Sequence, residues 1–164
     1  MTATIENNTG DSEQLAGHAL LHLQALLNSA GLEAEAAVEA REGDTVTLAV
    51  TGPDASLLVG AHGQVLDALQ HLLTLMTNKG RERRLRLTVD ADGYRARRAQ
   101  TLARFAQDLA AEVAKSGEEA VTDPMNAMER RLIHTALADH QDVQTYSEGD
   151  EPRRYVVVSP RTSP

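Results

Sequence analysis

A pair of glycines three residues apart, set between an apolar run and an amphipathic pattern, constrains this chain more than any other feature. It lies in Leu57–Leu73, LLVGAHGQVLDALQHLL, where Gly60 and Gly63 bracket Ala61 and His62. Glycine at both positions allows positive φ and close approach of a ligand to the backbone. Downstream, Val65, Leu69, Leu72 and Met76 fall at i, i+4, i+7 and i+11, with Leu66 and Leu73 widening the stripe. That spacing predicts a helix over Gln64–Thr77 with this stripe in the core. The first N–H groups of a helix have no intrahelical partner, and the macrodipole favours an anion beside them. A helix–GxxG–helix corner can therefore seat a backbone phosphate. No Lys-Ser/Thr follows Gly63, so this is not a P-loop. Taken alone, the four residues are explained as well by a plain turn between helices.

The surrounding pattern is mixed. Leu15, Ala19, Leu23, Leu26 and Leu27 recur at helical spacing, predicting a helix over Glu13–Ala30 that Gly31 stops. Alternation at Leu32, Ala34, Ala36 and Val38, and then in TVTLAV, predicts two strands joined by a turn at REGD. A short helix over Ala55–Val59 leads into the glycine pair. RRLRLTVD alternates as a third strand, with Leu85, Leu87 and Val89 on one face and Arg84, Arg86 and Thr88 on the other. A long helix follows, between a cap at Asp92 and a stop at Gly117, with Tyr94, Leu102, Phe105, Leu109 and Val113 as its apolar stripe. Met125–Ala138 reads as another helix, with Pro124 early and Asp123 as its N-cap. The strands DVQTYSEG and RRYVVVSP close the chain as a hairpin. The class is α+β.

At 164 residues the chain suits one average domain or two small ones, with a core of Leu, Val and Ala because only three Tyr and one Phe are aromatic. It has no Cys, which excludes disulfides and thiolate metal sites and fits a reducing cytoplasm. No apolar run reaches the roughly 18 residues of a membrane span. The polar segment 1–14 predicts a disordered leader and 161–164 a tail. The formal net charge of −8 argues against nucleic acid as a partner, but its distribution does not. Residues 1–60 hold one basic and nine acidic residues, whereas 79–104 hold nine basic and three acidic. Eight of those nine are Arg, the side chain suited to bidentate phosphate contact. Arg83, Arg84 and Arg86 are candidates for sequence-independent attraction of a polyanion.

Arg130 and His134 fall at i and i+4, on one face of their predicted helix, and Arg153 and Arg154 on the closing hairpin can extend that surface. By spacing alone an exposed helix pair explains them. His18 and His22 share that spacing without a third ligand, so no metal site and no cofactor is expected, and no arrangement of catalytic groups stands out.

VTGPDASLLVGAHGQVLDALQHLLTLMTNK resembles the KH region of the bacterial Jag family. The resemblance continues through VDADGYRARRAQTL, similar to that family's linking helix, and into PMNAMERRLIHTALADHQDVQTYSEGDEPRRYVVVSP, similar to its R-three-H domain, whose Arg-x-x-x-His signature Arg130 and His134 match. It covers Ala16–Pro160. It implies a KH-like module over 15–90, a three-stranded sheet with helices on one side, joined by a long helix to a small R-three-H module over 91–160. It implies a cytoplasmic, non-enzymatic protein that binds single-stranded RNA, an RNA chaperone or post-transcriptional regulator tied to cell-envelope growth, with a small single-KH protein or a second copy as partner and no membrane insertion. Gly60, Ala61, His62, Gly63 and Gln64 would clamp the RNA backbone, and Arg130 and His134 a second stretch. KH loops commonly carry Lys or Arg between the glycines, and Ala61-His62 departs from that. The departure, with the acidic N-terminal part, supports a different expectation: a protein–protein adaptor whose KH fold has lost most of its RNA affinity.

Overall fold

The computed structural model describes residues 3–82 and 84–161. The chain forms two compact units, 1–95 and 96–164.

The first unit runs α1 (Ala3–Ser29), β1 (Glu35–Glu42), β2 (Thr45–Thr51), two short 3-10 turns (Ala55–Leu58 and Ala61–Gly63), α2 (Gln64–Asn78) and β3 (Arg86–Ala91). Its sheet has the order β1-β2-β3, antiparallel between β1 and β2 and parallel between β2 and β3. Parallel pairing needs a crossover, and the glycine corner with α2 supplies it. Leu15, Leu23 and Leu27 of α1, Leu66 and Leu73 of α2, and Val46, Leu48, Val50, Leu87 and Val89 of the sheet fill one core. Each fully buried Leu or Val contributes about 1.5–3 kcal/mol. Asn78 ties the end of α2 to the approach to β3, donating to Leu85 O at 3.0 Å and accepting from Leu85 N at 2.8 Å.

Two sequence expectations need correction here. α1 begins at Ala3, inside the stretch expected to be a disordered leader and well before Glu13. Once the packed turns over Leu15–Leu27 nucleate the helix, extension adds one hydrogen bond per residue, and no Pro interrupts it. The core face of α2 is also not the expected one. Leu66, Leu73 and Thr77 are buried, whereas Val65, Leu72, Leu75 and Met76 are 37–58% exposed. The helix is apolar on two adjacent faces, so periodicity cannot choose between them. The backbone at Gly60–Gly63 sets the rotation at which α2 leaves the corner.

The second unit takes most of α3 (Tyr94–Ser116), then β4 (Ala120–Val121), α4 (Ala127–Ala136), β5 (Val143–Glu148) and β6 (Tyr155–Pro160). Its sheet is antiparallel in the order β4-β6-β5. Leu102, Ala106, Ala110 and Val113 of α3 and Ile133 of α4 pack on Val143, Val156 and Val158. Phe105, expected in the stripe of α3, is exposed, and small Ala106 and Ala110 take the inward positions. α4 starts at Ala127, not Met125, because Asn126 rather than Asp123 is the N-cap: its side chain accepts the Glu129 N–H at 2.9 Å. Among the described residues no helix is long and apolar enough to cross a membrane.

Candidate nucleic-acid interface

The glycine corner needs its glycines. Gly60 has φ 65°, ψ −169° and Gly63 has φ 82°, a region L side chains rarely adopt. A Cβ on Gly60 would overlap the Val65 side chain and lie 3.1 Å from the Val65 nitrogen; one on Gly63 would lie 3.0 Å from Tyr94 Cε1. Between them His62 is also left-handed, at φ 52°, which turns the chain without a glycine. Gly63 is buried against Tyr94, while Gly60, Ala61, His62 and Gln64 are exposed. The Gln64 N–H donates to Ala61 O, so this amide, expected among the phosphate holders, closes the turn instead. No side chain caps the start of α2, which leaves the amides of its first turn as donors toward the corner. Exposed Leu57 and Val65 flank the loop with apolar surface. Asp67 in that first turn opposes an anion, but Arg95 lies 3.0 Å from its Oδ1 and offsets the charge. Arg95 is fixed there by donating to Val89 O at 2.8 Å and to Gln70 Oε1 at 3.0 Å.

The candidate basic residues of the first unit do not lie at this corner. Arg84 and Arg86 are exposed, but parallel pairing sets Arg86 opposite Thr45, the start of β2, while the loop follows the other end of β2 at Thr51. The length of β3, about 16 Å at 3.3 Å per residue, separates them. Beside the C-terminus of α2, these cations also suit the helix dipole. Arg83 lies outside the described residues.

In the second unit Arg130 and His134 do share a face of α4, and both are already engaged. Arg130 is only 7% exposed. It donates from Nη1 to Met125 O at 2.9 Å and from Nη2 to Glu151 Oε1 at 2.7 Å. Imidazole Nδ1 of His134 is 2.7 Å from Thr145 Oγ1, and Nε2 is 2.9 Å from Ser147 Oγ. Burial, and then the neighbouring Arg130 charge, lower the His134 pKa below its usual 6.5, so the ring is neutral at pH 7. Arg153 is exposed on the hairpin, and Arg154 is half-buried with its carbonyl accepting the Met125 N–H at 3.1 Å. Arg98, from the basic run, pairs with buried Glu129 at 2.7 Å and so helps hold α4.

Sequence reasoning missed Thr145, Ser147 and Glu151. The signal for the first two was present: they alternate with Val143, so they face the same side as that core residue. The arrangement gathers a guanidinium, an imidazole and two hydroxyls along one edge, which are hydrogen-bonding groups that suit a phosphate or sugar. Exposed Glu151 presents an anion to Arg130.

Comparison with known proteins matches both units. Residues 21–89 match the KhpA/KhpB KH domain and 100–160 the R-three-H domain. The RNA-binding protein KhpB of Clostridium symbiosum is 34% identical over 148 residues, 90% of this chain and 67% of that protein. That of Bacillus subtilis is 36% identical over 144 residues, 86% of this chain and 68% of that protein. The Lactiplantibacillus plantarum protein is 44% identical over 105 residues, 64% of this chain but 33% of its own length. A KH domain followed by an R-three-H domain, with relatives matched along two thirds of their length, makes the chain a member of the Jag family, the proteins that include KhpB.

Proposed function

We propose that the protein binds single-stranded RNA in the cytoplasm without catalysing a step, acting as an RNA chaperone or post-transcriptional regulator in cell-envelope growth. The GAHG corner carries this reading: two glycines in conformations that exclude a side chain, beside a helix start with no side-chain cap. Those features suit a backbone-to-backbone grip on about four nucleotides. Arg130 and His134 provide the second hold, with a phosphate replacing Glu151 at Arg130. Arg153 and Arg154 add attraction beside it, and Arg84 and Arg86 attract the strand at a distance from the loop. The names of the relatives support RNA as the ligand.

Affinity for a single-stranded RNA oligomer, measured by fluorescence anisotropy from 50 to 300 mM salt, is expected to fall steadily as salt rises. Gly63→Asp, which brings a carboxylate to the corner, is expected to weaken binding at least tenfold. Salt-independent binding, or full affinity in a folded Gly63→Asp protein, would overturn the RNA reading.

One observation supports a partner as well. Val65, Ala68, Leu72 and Leu75 recur at three- and four-residue spacing on the exposed side of α2, which suits a helix-pairing seam. Gln64, His71 and Asn78 on one flank and Leu69 and Met76 on the other carry no formal charge, so a like helix is not repelled. A small single-KH protein or a second copy of this chain fits that seam. Leu72→Glu is expected to abolish such association in sedimentation velocity. If Leu72→Glu abolished association and the wild-type protein bound no RNA, the adaptor reading would replace this one.

A further inference from the structure

The second sheet has two faces, and the helices α3 and α4 cover only one. Val143, Val156 and Val158 point into the core against α3 and α4. The alternate residues point away: Tyr155, Val157 and Ser159 of β6, Tyr146 and Glu148 of β5, and Val121 of β4. Two of the three tyrosines in a chain with four aromatic residues therefore stand on this outer face. Val121 is 62% and Tyr146 43% exposed in the whole chain. The Tyr146 hydroxyl reaches Glu119 Oε1 at 3.4 Å, just before β4 on the far side of central strand β6. Its ring thus crosses β6, consistent with the burial of Val157 and Ser159 beneath it. The Tyr155 hydroxyl donates to Glu148 Oε2 at 3.3 Å.

Charge decides what suits this face. Glu119 and Glu148 are exposed on it, and Asp123 is exposed two residues beyond Val121. The strand residues that alternate onto the face include no Lys or Arg. Carboxylates beside the rings repel the phosphates of a nucleic acid, although bases stack well on tyrosine in other settings. They attract a cation, and the faces of two phenol rings add cation–π attraction for it. We propose that the outer face of the β4–β6–β5 sheet docks an extended protein segment carrying arginine or lysine, its cations at Glu119 and Glu148 and its side-chain stems on Tyr146, Tyr155 and Val121.

The test uses the full chain, isotope-labelled, titrated with a ten-residue peptide alternating arginine and glycine, and with a glutamate–glycine peptide as control. The expected result is that amide signals of Val121, Tyr146, Val157 and Ser159 shift with the cationic peptide only. Glu119→Gln combined with Glu148→Gln, which keeps an acceptor for each tyrosine hydroxyl, is expected to weaken that binding about tenfold and leave affinity for single-stranded RNA within twofold. Val121→Lys, at a position exposed enough to tolerate it, is expected to abolish peptide binding. The proposal is overturned if the peptide shifts residues elsewhere, if either variant binds it as the wild type does, or if single-stranded RNA shifts these amides and displaces the peptide.

Discussion

The corner at Gly60–Gly63 and the α4 face at Arg130–His134, the two proposed RNA contacts, are built from opposite materials. In the corner the side chains are removed: two glycines clear the backbone, and the start of α2 supplies donors. On α4 the candidate groups are side chains, and each is bonded within the unit, to Met125, Glu151, Thr145 and Ser147. A backbone grip needs no compensating partner when empty, because exposed N–H groups are hydrated. A nearly buried guanidinium does need one, since an unpaired buried charge is costly. The second unit therefore carries its own anion, and any ligand must compete with it.

That contrast can be broken at several points. The largest effect on RNA affinity is expected at the corner: Gly60→Ala puts a Cβ at φ 65° against Val65, costing about 1–2 kcal/mol in backbone strain and removing most loop-dependent RNA affinity. An unaltered melting temperature together with unaltered affinity would show that the corner is not backbone-limited. Next comes Arg130→Ala, expected to cost about 1.5–3 kcal/mol in chemical denaturation because Met125 O and Glu151 lose their donor. A loss under about 0.5 kcal/mol would mark Arg130 as an ordinary surface side chain. Glu151→Gln weakens the competing anion and is expected to raise RNA affinity about threefold at low salt, with little change in stability because Glu151 is exposed. Unchanged or weaker binding would remove the competition.

The smallest effect concerns pH. The folded pKa of His134 lies below the unfolded value of 6.5, so below that value the unfolded chain binds more protons at this site. The stabilisation is fully present above pH 6.5 and is lost as pH falls through the folded pKa. The denaturation midpoint is expected to drop between pH 7 and 5, with a shallower slope in His134→Gln. Equal slopes would place the titration on other groups.

How much of this was legible depended on whether the deciding interaction was local. The corner was readable because two glycines and the helix after them lie within nineteen residues, and the i, i+4 relation of Arg130 and His134 is likewise local. What surrounds that pair is not: Thr145, Ser147 and Glu151 arrive from a strand and a hairpin 11 to 21 residues away. The core face of α2 was misread because both faces are apolar and only tertiary packing ranks them. The α4 start was misread because Asp123 and Asn126 are both good caps, and Asn126 has the extended backbone a cap requires. The distance of Arg84 and Arg86 from the corner was not legible, because sequence does not reveal that β3 runs parallel to β2.

That parallel register separates arrival from retention. The positive end of the first unit, at Lys79, Arg81, Arg84 and Arg86, is between one β3 and one α2 length, about 16–22 Å, from the corner. On the proposed function, a polyanion would be steered to the charged end and held by this unit at the neutral one. Added salt then acts chiefly on the association rate constant, because steering is what ions screen. Dissociation from the corner, which would be governed by short amide contacts at an uncharged turn, is expected to stay comparatively level. On stopped-flow traces the two rate constants would respond to ionic strength as if they belonged to different sites.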